Sequence, residues 1–161
     1  MWLPRTQLAL EECRRHLKET KSFNTPIEAY ITRGLIVLLC AEIEASVTHL
    51  VIRRVEATDD QEVRQFAKSI SKAFVRNAKP GEIGDVVGRF GEHCKQRYQQ
   101  TLDASIGDAG RMRIGNLVTS RDRFAHGEPP DVTFRELLKA FKDAVGLLAA
   151  VEKSLGLSDA P

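Results

Sequence analysis

Arg121 and His126, separated by Asp122-Arg123-Phe124-Ala125, combine residue types and a spacing that can do chemistry. Ile114, Leu117, Arg121 and Phe124 recur at intervals of three and four, so on a helix Arg121 falls on the apolar stripe rather than the wet face. A guanidinium keeps its proton in a protein, so one turned inward requires a carboxylate, a phosphate or a solvated interface. His126 lies about 140° around an ideal helix from Arg121. It is followed by Gly127, a natural helix stop. In that last turn the imidazole can swing over the helix end toward the groove that Arg121 enters. Asp122, four residues before His126, is placed to orient the ring or raise its pKa.

An arginine and a tunable imidazole on one groove, with no metal ligands beside them in sequence, suit phosphodiester chemistry on RNA. The imidazole titrates near neutrality, so it can take the proton of a ribose 2′-OH or protonate the leaving 5′-oxygen. The guanidinium can stabilise the extra negative charge of the phosphorane-like transition state through paired N–H donors. One histidine does not readily serve both ends of an in-line displacement. A two-fold homodimer that brings two copies of the segment together would supply the second, and the sequence leads us to expect one.

The segment from Arg121 to His126 resembles the R-x4-6-H motif of HEPN domains, including their polar residue after the arginine, here Asp122. The order of elements is similar too: a long apolar helix early, the motif closing a later helix as His-Gly, then a Thr-capped amphipathic final helix. These features resemble the HEPN group called RiboL-PSP-like, over residues 4–157. The resemblance implies that Arg121 and His126 are catalytic, that Asp122 supports them, and that the site forms at a homodimer interface. It further implies metal-independent RNA cleavage leaving a 2′,3′-cyclic phosphate, in a toxin, antiviral or RNA-processing setting, with no cofactor. A cognate antitoxin or nucleotidyltransferase is the partner such a setting suggests. The same groove would also serve a non-catalytic HEPN-like module that binds a nucleotide, RNA or a partner protein, and the residues leave both readings open.

Around the motif, Arg123 reads as a solvated residue with RNA backbone as its functional use. Glu42, Glu44 and His49 read first as structural hydrogen-bond or salt-bridge residues, their sharper use being to hold Arg121 in place; Glu42 and His49 stand two turns apart on one side of a helix. His16 and His93 have no catalytic company and read as surface residues. Cys13, Cys40 and Cys94 are odd in number and widely spaced, which suits buried free thiols rather than a disulfide framework or a zinc site. Gly84, Gly88 and Gly91 follow no strand and form no phosphate-binding loop, so they read as close packing or a weak helix.

Positioning these residues falls to helices throughout. Apolar periodicity and start signals predict helices over residues 4–21, 26–57, about 61–77, a stretch from residue 81 weakened or broken near Gly91, 111–126, and one following the Thr133-Phe134-Arg135-Glu136 capping box. Thr25-Pro26-Ile27-Glu28 reads as a second capping box, and residues 103–110 as the best internal loop. No segment alternates with period two, and no Pro, Gly or Ser-rich linker divides the chain. The expectation is one all-α domain over residues 1–161, an antiparallel, HEPN-like bundle of five to six helices.

Composition sets outer bounds. With 24 Lys and Arg against 22 Asp and Glu, there is no global basic field, so any nucleic-acid contact must be local. The N-terminus lacks the charged and apolar regions of a signal peptide, and the most apolar stretch, residues 35–41, stops at Glu42, well short of a bilayer span. These features lead to an expectation of cytoplasmic location without a membrane partner.

Overall fold

The computed structural model describes residues 2–70, 75–125 and 132–157. Within them the fold is all-α, in seven helices: α1 (Pro4–Glu19), α2 (Pro26–Glu56), α3 (Gln61–Ile70), α4 (Pro80–Gly88), α5 (Glu92–Ser105), α6 (Gly107–Ala125) and α7 (Phe134–Ser154). The end of the motif helix at His126-Gly127 and the tail from residue 158 lie outside the described residues.

The longest helix, α2, is the axis of the bundle and packs against α1, α3, α6 and α7. Length and composition alone would let it cross a membrane. Here it contributes Leu35, Ile36, Leu39, Ile43, Val47, Leu50 and Val51 to the core, all buried. They meet Ile114, Leu117 and Val118 of α6 and Leu137, Leu147, Leu148 and Val151 of α7 in one hydrophobic cluster. Directions follow from the contacts between helices. Glu28 meets the start of α7 at Phe134, and Arg53 meets its end at Glu152. Thus α2 and α7 run side by side in one direction. Arg113 of α6 pairs with Asp143 of α7, and Ile106 just before α6 reaches Gly146, so α6 descends between them in the opposite sense.

Helix starts separate the two expected capping boxes. At α7 the box is complete: the Thr133 hydroxyl accepts from the Glu136 N–H, and Glu136 accepts from the Thr133 N–H at 2.8 Å. At α2 it does not form. The Thr25 hydroxyl donates instead to the Ser22 carbonyl, and Glu28 accepts from the Asn24 and Phe134 N–H groups. Glu28 thus divides its two oxygens between a local N–H one residue before the cap position and a tertiary one. Asp60 caps α3 as its sequence suggests, accepting from the N–H groups of Glu62 and Val63.

Three further expectations are corrected. Residues 75–79 are not helical, so α3 does not continue to residue 77. Its periodic apolar face exists, yet Val63, Phe66 and Ile70 stand exposed because α3 rests on α2 by one edge of that face, through Ala67. Nor are residues 103–110 a loop. Helix α5 runs through Ser105 and α6 begins at Gly107, leaving only Ile106 between them. The chain breaks direction there through Gly107, at φ 58°, a conformation glycine adopts without steric cost.

Tight packing explains glycines at two places in the fold. On α4, Gly84 lets the Tyr98 ring of α5 lie against the helix backbone, where its hydroxyl donates to the Pro80 carbonyl at 2.9 Å. At the α5–α6 corner, Ile106 is keyed between Gly110 and Gly146; a Cβ on Gly146 would sit 2.7 Å from Ile106 Cγ2. Gly146→Ala must therefore overpack the junction, at a cost of about 1–3 kcal/mol. Thermal unfolding should show Tm falling by roughly 2–4 °C per kcal/mol lost, and an unchanged Tm would mean the corner is loose.

Candidate functional site

Helix α6 delivers Ile114, Leu117 and Val118 to the core, and one turn later the same face delivers Arg121. At that level α2 opposes it with Cys40 and Glu44, which stand one turn apart. The Arg121 Nη1 donates to Glu44 Oε1 at 2.6 Å, and its Nε and Nη2 donate to Asp122 Oδ1 at 3.2 and 3.1 Å. The inward arginine has thus found the carboxylate that its placement demanded. Of the five N–H groups of a guanidinium, one on each terminal nitrogen has no acceptor among the described residues. With side-chain exposures of 22% for Arg121 and 25% for Glu44, the pair sits at the rim of the core rather than in free solvent. Burial works against the charge of Arg121, but the hydrogen bond to Glu44, the neighbouring negative charges and the bond to Asp122 outweigh it and raise the pKa above the usual arginine range.

Cys40 stands in the same niche. Burial pushes its thiol up to about 12, although Arg121 pulls the other way. The thiolate is the nucleophilic form, so Cys40 is inert at neutral pH and adds no covalent chemistry to the motif. Cys13 and Cys94 are also free thiols; Cys94 is buried and Cys13 only half so.

The other expected site residues divide. Asp122 is brought onto Arg121, so its carboxylate serves the guanidinium. His126, the ring it was expected to orient, lies outside the described residues. Arg123 is half-buried and already engaged, which departs from the solvated reading. Glu42 and His49 do not join Arg121. Two residues along a helix turn it by about 200°, so Glu42 faces away from Glu44. There it accepts from the Arg5 and Thr6 N–H groups at 3.0 and 2.8 Å, capping α1. His49 is exposed and lines a surface depression on that side with Trp2 and Leu38. Glu42 thus has a structural hydrogen-bond role, and the carboxylate that holds Arg121 in place is Glu44.

Sequence reasoning missed Arg33. Its guanidinium carbon lies 5.3 Å from the Phe124 ring centroid and 5.5 Å from that of Tyr30. The signal was present in α2, where positions 33, 40 and 44 are spaced by seven and four residues and so share one face. Among the described residues, no group of three or more His, Cys, Asp or Glu could hold a metal ion.

In this all-α bundle an inward, carboxylate-held arginine stands five residues ahead of a histidine in the sequence. A family model described as RiboL-PSP-HEPN matches residues 7–156, and the chain belongs to that family. Neither a curated protein nor a solved structure matches the chain. Membership associates the chain with ribonuclease or nucleotide-related roles.

Two outcomes follow from the geometry. Glu44→Ala strips a mostly buried guanidinium of its nearest acceptor and should cost roughly 1–2 kcal/mol, between exposed and buried pairs. Asp122→Ala, at a more exposed carboxylate, should cost under about 1 kcal/mol; urea unfolding of the two variants checks the order. Alkylation mapped by mass spectrometry should find Cys13 labelled before Cys40 at pH 8. Labelling of Cys40 should climb about tenfold per pH unit above that, because only the thiolate reacts. Rapid labelling of Cys40 at neutral pH would contradict its burial.

Proposed function

We propose that this protein is a metal-independent RNA endonuclease in which Arg121 and His126 act on the scissile phosphodiester. The observation that carries the reading is the state of Arg121: turned inward, fixed by Glu44 and Asp122, and left with two N–H donors unused among the described residues, five residues before His126. Such a fixed fork meets a phosphoryl group at no reorganisation cost, which is what electrostatic catalysis requires.

In the proposed reaction an imidazole takes the proton of the ribose 2′-OH, and the 2′-oxygen attacks phosphorus. The bond to the 5′-oxygen then breaks, and that oxygen leaves with a proton from a second imidazole. The products are a 2′,3′-cyclic phosphate and a 5′-hydroxyl. His126 of each copy in a homodimer would fill the two imidazole roles, and Arg121 would hold the charge that accumulates on the non-bridging oxygens. Under this reading the protein acts in the cytoplasm, as a toxin, an antiviral factor or a processing enzyme. A cognate antitoxin or nucleotidyltransferase would restrain it in the first of these roles.

One observation favours a second reading. Arg121 is answered by two carboxylates, so the cluster carries one positive and two negative charges. A guanidinium whose charge is already answered in this way also fits a non-catalytic module that binds a nucleotide, RNA or a protein partner. Incubation of a mixed RNA pool in EDTA separates the two. Wild-type protein should cleave, with 2′,3′-cyclic phosphate ends detectable by end-group analysis, while Arg121→Ala and His126→Ala should each lose about 10²-fold or more in rate. Equal RNA binding without cleavage in all three proteins would select the module, and undiminished cleavage by His126→Ala would sink the mechanism.

A further inference from the structure

We infer that Arg33 binds an RNA phosphate beside the Arg121–His126 motif, and that Tyr30 stacks on the adjoining unpaired base; the inference rests on the ribonuclease reading above and names a substrate contact for it.

Arg33 is held in an arrangement unlike that of four other arginines on α2 and α6. Arg53, Arg111, Arg113 and Arg121 each pair with a carboxylate. Among the described residues Arg33 has no ion pair and no hydrogen bond, and its Nε is buried without an acceptor. Its guanidinium is instead flanked by the ring faces of Phe124 and Tyr30. Aromatic faces attract a cation and hold its plane. They accept none of its N–H bonds, so an ordered cation is presented with its donors unspent. Such a group is complementary to an anion with planar or tetrahedral oxygens, and phosphate is the anion that arginine recognises best.

Its place ties it to the motif. Phe124 is three residues after Arg121, about one turn, or 4.5 Å of rise, along α6. Arg33 shares one face of α2 with Cys40 and Glu44, the residues that surround Arg121. The Arg121 cluster is by itself net negative and would repel a phosphodiester. An uncompensated cation in the same seam cancels that net negative charge, which the balanced composition of the whole chain does not. Phe124 is half-buried, whereas Tyr30 is 67% exposed. The outer ring of the stack thus offers a free π-face, and unpaired bases stack on such rings. A cation under an open ring, beside a phosphate-directed arginine, describes a subsite for single-stranded RNA.

The test compares Arg33→Gln, Arg33→Lys and Tyr30→Ala. Cleavage of a short single-stranded RNA is followed in the otherwise wild-type protein, and binding of the same fluorescent RNA in the His126→Ala background. Arg33→Gln should raise KM about tenfold with kcat changed less than about twofold, the signature of lost uniform binding. It should also lower the slope of log Kd against log salt by about 0.7, one phosphate contact on a single strand. Arg33→Lys should keep the slope. Tyr30→Ala, a surface change, should weaken binding about tenfold and leave the slope alone.

Cleavage with KM and salt slope unmoved in Arg33→Gln would overturn the inference and leave the ribonuclease reading standing. Arg33-dependent RNA binding without any cleavage would sink the ribonuclease reading and keep the subsite. No RNA binding by any of the proteins would remove both. If Arg33→Gln instead converts a dimer to a monomer by mass in solution with the salt slope unmoved, Arg33 faces protein and the inference fails.

Discussion

The pairing of Arg121 with Glu44 is the constraint around which the rest of the structure is arranged. A guanidinium that cannot shed its proton is tolerated on the inner face of α6 only if a neighbouring helix presents an acceptor at the same height. The helix that does so is also the main apolar element of the core, and its neighbouring turns are Leu39, Ile43 and Val47, all buried. Glu44 projects into this seam from the turn of α2 that follows Cys40. Core and site thus adjoin on one helix, with Cys40 belonging to both.

Much of this organisation was legible in the sequence because it is periodic. The helices were visible as apolar stripes, the Thr133 capping box as a local motif, and the inward arginine as a charge on an apolar stripe. What could not be read depends on contacts distant in sequence. Thr25 and Glu28 have the spacing of a capping box, yet Glu28 is drawn to Phe134, more than a hundred residues away. Glu42 has the composition of a site residue, yet the uncapped start of α1 claims it. Glycine and aspartate between residues 103 and 110 suggested a loop, whereas a single break at Ile106 suffices once Gly107 takes a positive φ and α7 closes over the corner.

Arg33 went unread for a different reason. An arginine among Tyr30, Ile31 and Leu35 has no carboxylate at helical spacing to announce a role, and aromatic faces leave no charge pattern in a sequence. The contact that orients it comes from Phe124 on another helix. His126, by contrast, was legible from sequence and family resemblance alone, since it follows the last described residue of α6.

The wedge of Ile106 between Gly110 and Gly146 has a reach beyond its own packing. It sets the axial register of α6 on α7, and a rigid helix transmits that setting to its far end. Fifteen residues separate Ile106 from Arg121, or about 22 Å of helix. A slip of one residue at the corner amounts to about 1.5 Å and 100° at the other end, enough to carry the guanidinium away from Glu44. The two glycines therefore act as a distant calibration mark for the position of Arg121, without touching anything that would bind there.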